Sequence, residues 1–478
     1  MLHLFQIFED RLAFDTESNA LHALDALSFA VLKAYAAAQG CRPEPDILDQ
    51  LAVDLWREND ERTGAGHDDG QEACAEIRQE IEECAQEVDE LILAGSLFAP
   101  GEDVPLEMLY PDQPRIKSMC LHLCHDCNLR CAYCFAGTGD FGTGRRSMLD
   151  VETGKKAVDF LLDASGGRHN LDIDFFGGEP LLNWPVVVAL VDYCEQRGRD
   201  TGKNIRLTIT TNAVLLDDEK TAYINAHFKN CVLSIDGRPA VHDRMRPDRG
   251  GQGSYERIAG HIRSFVAARG EQEYYLRATF TRHNLDFADD VLHLAGLASQ
   301  VSVEPVVAPP GSGYDIRPDD VTVIEKEYER LARLMLDAES KGEPFNFFHF
   351  MIDLEQGPCA YKRLKGCGVG TEYCAVTPEG DIYPCHQFVG QEQFRLGNVH
   401  DNPIVLDATV QEPFTHLLVP DKPECRLCWA KNLCSGGCAA NAFHASGDVA
   451  GQYEIGCRMQ KKRLECALWL MAERRKGG

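Results

Sequence analysis

The stretch Ser118-Met-Cys-Leu-His-Leu-Cys-His-Asp-Cys127-Asn-Leu-Arg-Cys131-Ala-Tyr-Cys134 joins a strand-like run to three closely spaced cysteines. Spacings of four and three put three thiolates on one small loop. Three thiolates fit three irons of a cubane 4Fe–4S cluster and leave the fourth iron for an outside ligand. This is neither the four-ligand run of a ferredoxin nor a paired C-x2-C zinc knuckle. A zinc loop, or unrelated thiols, is the rival reading.

Outward from this loop, residues from Arg115 to Lys341 alternate strand-like and helix-like runs. The strands expected are Ser118–Leu123, Leu171–Phe176, Ile205–Thr210, Cys231–Ile235, Tyr274–Thr281 and Val301–Val306. Helical patterns such as Val186–Glu195, Tyr255–Ala268 and Val321–Asp337 lie between and after them. Repeated βα units imply an α/β fold with a parallel sheet. Gly177-Gly178-Glu179-Pro180 directly follows the second strand. Glycine there lets the backbone approach a ligand, and carbonyls or Glu179 can receive an ammonium. Thr211 and Asn212 end the third strand, Ser234 and Asp236 the fourth, and Arg277 lies on the fifth. The polar stretches Arg238–Pro247 and Phe280–Asn284 suit substrate binding or solvated loops equally.

Residues 1–105 read as a separate unit. Leu4–Phe8, Leu12–Phe14 and Ala20–Leu24 are short strand-like runs, and Asp25 suits a helix N-cap. Ile47, Leu48 and Leu51 mark a second helix; Ile77, Ile81, Cys84, Val88 and Leu91 mark a third. Arg57–Gly70, charged and glycine-containing, reads as a mobile loop.

From residue 342 cysteine returns at high density. Cys367 precedes Gly380-Asp-Ile-Tyr-Pro-Cys385, giving C-x12-G-x4-C, and Cys425-x2-Cys428-x5-Cys434-x3-Cys438 and Cys457 follow. A zinc ribbon competes for Cys425, Cys428, Cys434 and Cys438, since thiolates serve either metal. Cys374 falls in an apparent strand, Thr371–Thr377.

A chain of 478 residues is too long for one ordinary domain. A formal charge of −27 argues against nucleic acid or an anionic membrane as main partner. Twenty cysteines in clusters suit cofactor loops better than a secreted disulfide framework. Acids interrupt the apolar N-terminus, and no run reaches the ~18 apolar residues needed to span a bilayer. A cytoplasmic, reducing setting is expected.

The CxxxCxxC loop with Tyr133 in its last gap, followed by GGEP, resembles radical S-adenosylmethionine (SAM) enzymes. The cysteines from Cys367 to Cys457 resemble the SPASM motif of two auxiliary clusters. The resemblance implies a partial (β/α)6 TIM barrel over 106–341 and a SPASM domain over 342–478. Residues 1–105 would be a winged-helix-like module that captures a leader peptide. Three 4Fe–4S clusters and S-adenosylmethionine are implied. Cys127, Cys131 and Cys134 would hold the radical cluster; Cys367, Cys385 and Cys438 the first auxiliary cluster; Cys425, Cys428, Cys434 and Cys457 the second. Cys374 or Cys359 could complete the first auxiliary set, or that site could be open to a substrate thiolate. Tyr133 would lie beside the adenine, and Gly177, Gly178, Glu179, Thr211, Asn212, Ser234 and Asp236 would contact the methionine or ribose. Arg277 could pair with the carboxylate or serve as a surface residue.

Phe347–Asp353, Gly366–Tyr373 and Ile382–Phe388 resemble maturases of SCIFF peptides, also called ranthipeptides, which join a cysteine sulfur to carbon within one peptide. The maturation enzyme of quinohemoprotein amine dehydrogenase looks similar throughout, and a sulfatase-maturing type is a further rival. A non-enzymatic iron–sulfur or zinc protein would lack the GGEP and the βα pattern. The implied partners are a cysteine-containing precursor peptide, bound through its leader, and a one-electron reductant such as ferredoxin or flavodoxin.

Overall fold

The computed structural model describes residues 1–63, 70–101, 115–355 and 360–476. The chain opens with an antiparallel sheet of β1 (Leu2–Ile7), β2 (Asp10–Asp15) and β3 (Leu21–Leu24), in that order. Alternation makes this sheet two-sided. Phe5, Ile7, Leu12 and Phe14 enter the main core, whereas Ala13 joins a second core with Val31, Tyr35, Leu48, Ile81 and Val88. Those residues come from helices Ala26–Ala37, Pro45–Thr63 and Gly70–Leu93. Asp25 caps the first of them, accepting from the Ser28 N–H at 2.7 Å. The loop expected at Arg57–Gly70 is corrected in its first half: the second helix continues through Arg57 to Thr63. Glu58, Asn59, Asp60, Glu61 and Arg62 are polar but carry no helix breaker, so charge alone does not end the helix.

Six parallel strands follow, each beside the next: β4 (Ser118–Cys124), β5 (Asn170–Gly177), β6 (Asn204–Thr211), β7 (Asn230–Ser234), β8 (Tyr274–Phe280) and β9 (Gln300–Pro305). Long connections between them carry helices such as Val151–Ala164, Trp184–Thr201 and Tyr255–Arg269. Asp150 and Asp217 cap two of these helices, at 2.9 and 2.8 Å. One face of the sheet is apolar and buried under the helices: Leu121, Ile173, Phe175, Ile209, Leu233, Leu276 and Val303 all belong to the main core. The residues between them form a polar inner face.

The sheet does not stop at residue 341. β10 (Asn346–Phe347) adds to β9 in parallel, and β11 (Tyr373–Val376) adds to the other edge, parallel to β4. β12 (Asp381–Tyr383) and β13 (Gly397–Asn398) continue it antiparallel to a total of ten strands. The cysteine-rich region is therefore hydrogen-bonded to the strand that leads into the Cys127–Cys134 loop.

The last helix, Glu454–Lys476, runs beside Val321–Ser340, with Arg458, Lys462 and Arg474 paired to Glu325, Glu329 and Glu339. It also reaches the first sheet, where Trp469 Nε1 donates to Asp10 at 2.8 Å and His3 bonds Glu465 at 3.0 Å. No helix among the described residues is long and apolar enough to cross a membrane.

Candidate functional site

β4 ends at Cys124, and Cys127, Cys131 and Cys134 follow on irregular backbone. Two backbone bonds fasten this loop to the segment after helix Pro239–Met245: Arg130 N–H to the Pro247 carbonyl (2.7 Å) and Ala132 N–H to that of Met245 (2.8 Å). From the other side the end of β5 presses against it. Gly178 N–H donates to the Cys124 carbonyl and Glu179 N–H to that of Asp126, both at 2.9 Å. A Cβ at Gly177 would meet the Cys124 oxygen at 2.4 Å, and one at Gly178 the Asp126 oxygen at 2.0 Å. Gly177 also has φ +118°. The two glycines are thus required by the loop they support.

The Glu179 side chain turns inward. It accepts from Thr211 Oγ1 at 2.6 Å and from the Leu181 and Asn212 N–H groups at 3.1 and 2.8 Å. Burial pushes its carboxyl up to about 7, against those bonds. Asn212 Nδ2 donates to Asn128 Oδ1 at 2.7 Å and comes within 3.6 Å of Cys127 Sγ. The ends of β5 and β6 are therefore tied directly to the cysteine loop.

The ends of β7 and β8 reach the loop through a buried charge pair. Arg246 Nε donates to Tyr133 Oη at 2.7 Å and to Asp236 Oδ2 at 3.0 Å, and Tyr133 Oη donates to that same oxygen. The other oxygen of Asp236 accepts from Thr279 N–H at 3.1 Å, and the Ser234 carbonyl accepts from Arg246 at 3.4 Å. His242 Nδ1 accepts from Asp236 N–H at 3.1 Å, with Nε2 at 2.9 Å from Ser254 Oγ. Arg246 and His242 come from one of the polar stretches whose role the sequence left open, and both are buried. Arg246 was the residue sequence reading missed. Its only signal was an arginine shortly after a strand end, in company with a histidine. Arg277 stands apart from this group, bonded to Ser302 Oγ at 3.1 Å and paired with Glu304 at 3.8 Å.

The cysteines fall into three neighbourhoods. Burial above all raises Cys127 to about 12 and Cys131 to about 11, and the other thiols of the loop push the same way. Cys385 is raised to about 12 by burial, with Cys438 and Cys367 beside it. Cys434 is raised to about 11 by burial, then by Cys457, Cys425 and Cys428. The SPASM-like cysteines thus divide as 367, 385, 438 and 425, 428, 434, 457. A zinc ribbon would instead group Cys438 with Cys434. Thiols this buried resist ionisation, and ligation to a metal supplies the missing positive charge. A cubane takes each thiolate on a different iron, and groups of three and four thiols are donor sets of that kind.

Cys374 lies in the main core with Met119 and Val376. Its strand neighbour Ala375 packs on the opposite face with Cys120 and Tyr383. The structure thus places Cys374 with the core side chains, and burial raises it to about 12. Cys359 lies outside the described residues. A cavity of about 500 Å³ is lined by Cys425, Cys428, Cys434, Cys438 and Cys457 and reaches Glu304 and Arg463, so Cys438 borders the second group as well.

Two family models match, a 4Fe-4S single cluster domain over residues 117–259 and SPASM, an iron-sulfur cluster-binding domain, over 367–429. The solved structure of native anSMEcpe with bound AdoMet superposes with TM-score 0.61 at 21% identity, covering 74% of this chain and 98% of that one. The chain has the radical SAM fold with a SPASM domain. Streptococcus suis SuiB bound to S-adenosylmethionine shares that fold over 95% of this chain and 98% of its own, with TM-score 0.51 at 16% identity. Among curated sequences, mycofactocin maturase MftC of Mycobacterium ulcerans is 27% identical over 67% of this chain and 82% of its own. An AdoMet-dependent heme synthase of Methanosarcina barkeri is 28% identical over 67% and 90%.

Proposed function

We propose that this radical SAM/SPASM protein is a peptide maturase that forms intramolecular thioether bonds in a ribosomally made, cysteine-containing peptide. The observation that carries the reading is the division of ten cysteines into the three neighbourhoods above, one of them pinned under Gly177 and Gly178. Support for a peptide substrate comes from mycofactocin maturase and from SuiB, which has been solved with its precursor peptide SuiA.

In this reading Cys127, Cys131 and Cys134 hold the cluster that binds S-adenosylmethionine. Cys367, Cys385 and Cys438 hold one auxiliary cluster, and Cys425, Cys428, Cys434 and Cys457 the other. Bound there, cofactor and clusters supply a 5′-deoxyadenosyl radical for hydrogen removal from a substrate carbon and a path for the surplus electron. Glu179, Thr211 and Asn212 position the methionine end, and Tyr133 and Ser234 the nucleoside end. Arg246 acts through Tyr133 and Asp236 as a positioning residue. Residues 106–341 correspond to the catalytic partial barrel, residues 342–478 to the SPASM domain, and residues 1–105 to the leader-binding module. β3 ends the strand order of its sheet, the kind of position to which a peptide strand adds. Ferredoxin or flavodoxin is the proposed reductant.

The test is anaerobic co-expression with the cysteine-rich peptide encoded beside the gene, followed by reduction, alkylation and mass spectrometry. Each thioether removes about two hydrogens and leaves one cysteine unalkylated, as C–S coupling requires. A fully alkylated peptide of unchanged mass would refute the reading. A new carbonyl without a crosslink would favour the sulfatase-maturing type instead.

A further inference from the structure

At the polar face of the sheet two guanidinium groups, Arg277 and Arg463, meet one carboxylate, Glu304. Arg277 on β8 projects opposite to Leu276 and Ala278, which belong to the main core. It is 45% exposed, whereas Arg463, which reaches the same place from the last helix, is 7% exposed. Between them stands Glu304 on β9. Arg463 pairs with Glu304 at 3.2 Å and is itself held by Tyr328 Oη at 2.8 Å. His349 lies 3.5 Å from Glu304.

Glu304 is therefore served without Arg277. Burial would raise its carboxyl, but the Arg463 guanidinium above all outweighs it and holds it at about 2, so it is charged. Burial takes His349 down to about 3, so it is neutral. One carboxylate then faces two guanidinium groups. The ion pair from Arg277 is the long one, at 3.8 Å, and among the described residues its guanidinium donates one hydrogen bond, to Ser302 Oγ at 3.1 Å. A guanidinium has five N–H donors in a planar fork that matches a carboxylate. Most of this fork remains available on the open face.

Its position gives the surplus a use. Arg277 is in register with Ser234, whose carbonyl is bonded to Arg246. It therefore lies one layer below the Tyr133–Asp236–Arg246 group, on the polar face of the sheet.

We propose that Arg277 forms a carboxylate subsite for the substrate, drawing an Asp or Glu side chain of the peptide beneath the strand ends. The inference rests on the reading of this face as the peptide site. Ser302 orients the guanidinium from one side, and Glu304, fixed by Arg463, keeps it from collapsing onto the sheet. Arg277 is a specificity residue here, with no assigned part in the chemistry.

The test is equilibrium binding by fluorescence polarisation to the cluster-reconstituted, SAM-bound full-length protein. The probes are two labelled capped pentapeptides, Gly-Cys-Gly-Asp-Gly and its Asn counterpart. A charge-assisted bond lost to a neutral amide predicts roughly tenfold tighter binding of the Asp probe. Arg277→Gln should abolish that preference, and Arg277→Lys should keep part of it. Equal binding of both probes by the wild type, or an undiminished preference in Arg277→Gln, would overturn the proposal. So would a preference unchanged in Arg277→Gln alongside weakened SAM binding, which would assign the guanidinium to the cofactor. Binding is read without turnover, so selective binding with no crosslink formed would refute the thioether reading and leave the subsite standing.

Discussion

Arg246 Nε lies 2.7 Å from Tyr133 Oη and 3.0 Å from Asp236 Oδ2, so one buried guanidinium links the cysteine loop to the end of β7. Neither side chain reaches water freely: Asp236 is 1% exposed and Arg246 8%. Replacing Arg246 by Met leaves the Asp236 carboxylate buried with its main counter-charge gone. Breaking such a pair from one side costs about 3–5 kcal/mol. The expected result is that loss in chemical denaturation of Arg246→Met, largely restored when Asp236→Asn is added. A double variant as unstable as the single one would argue against the pair.

The close approach of β5 to the loop makes a second expectation. Gly178→Ala places a Cβ 2.0 Å from the Asp126 oxygen, a separation that forces the backbone apart. Relieving that contact parts the loop from the end of β5, and Cys127, next to Asp126, is displaced. Reconstituted Gly178→Ala should lose about one cluster's worth of iron and keep the remainder, measured as iron and sulfide per chain. Gly167→Ala, where a Cβ meets nothing, is the control.

The division of the later cysteines can be read spectroscopically. Cys438 lies with Cys367 and Cys385, and Cys434 with Cys425, Cys428 and Cys457. Cys438→Ala and Cys434→Ala should therefore perturb different signals in electron paramagnetic resonance of the reduced protein. The same signal lost in both variants would favour a shared ribbon site.

His242 carries a pH dependence whose sign follows from its burial. Burial, aided by the Arg246 charge, takes it down to about 3, and protonating Nδ1 would also break the bond it accepts from Asp236 N–H. Its folded value is below the unfolded 6.5, so the unfolded chain binds the extra proton. Stability is then lost as pH falls below about 6.5, progressively toward 3. In chemical denaturation between pH 7 and pH 5, His242→Gln should show a shallower decline than the wild type. An equal slope would remove His242 from the account.

Much of the frame was legible from sequence because local pattern carries it. All six parallel strands were found within a few residues, since their alternation with helices is a short-range signal. Asp25 was readable as a cap for the same reason. What pairs at long range was not. β11 lies more than two hundred residues from β4, and nothing in Tyr373–Val376 states which edge it joins. Arg246 likewise looked like one more charge in a polar stretch, because the carboxylate that buries it sits ten residues earlier on another element. For Arg277, strand position leaves both a carboxylate partner and a surface role open, and its contacts with Ser302 and Glu304 are what the structure adds.

The most direct measurement of the central claim is reductive SAM cleavage by the reconstituted protein, with dithionite and no peptide, followed by chromatography for 5′-deoxyadenosine. The account predicts product from the wild type and none above background from Cys131→Ala. Equal product from both would contradict the assignment of the Cys127–Cys134 loop as the radical-generating site.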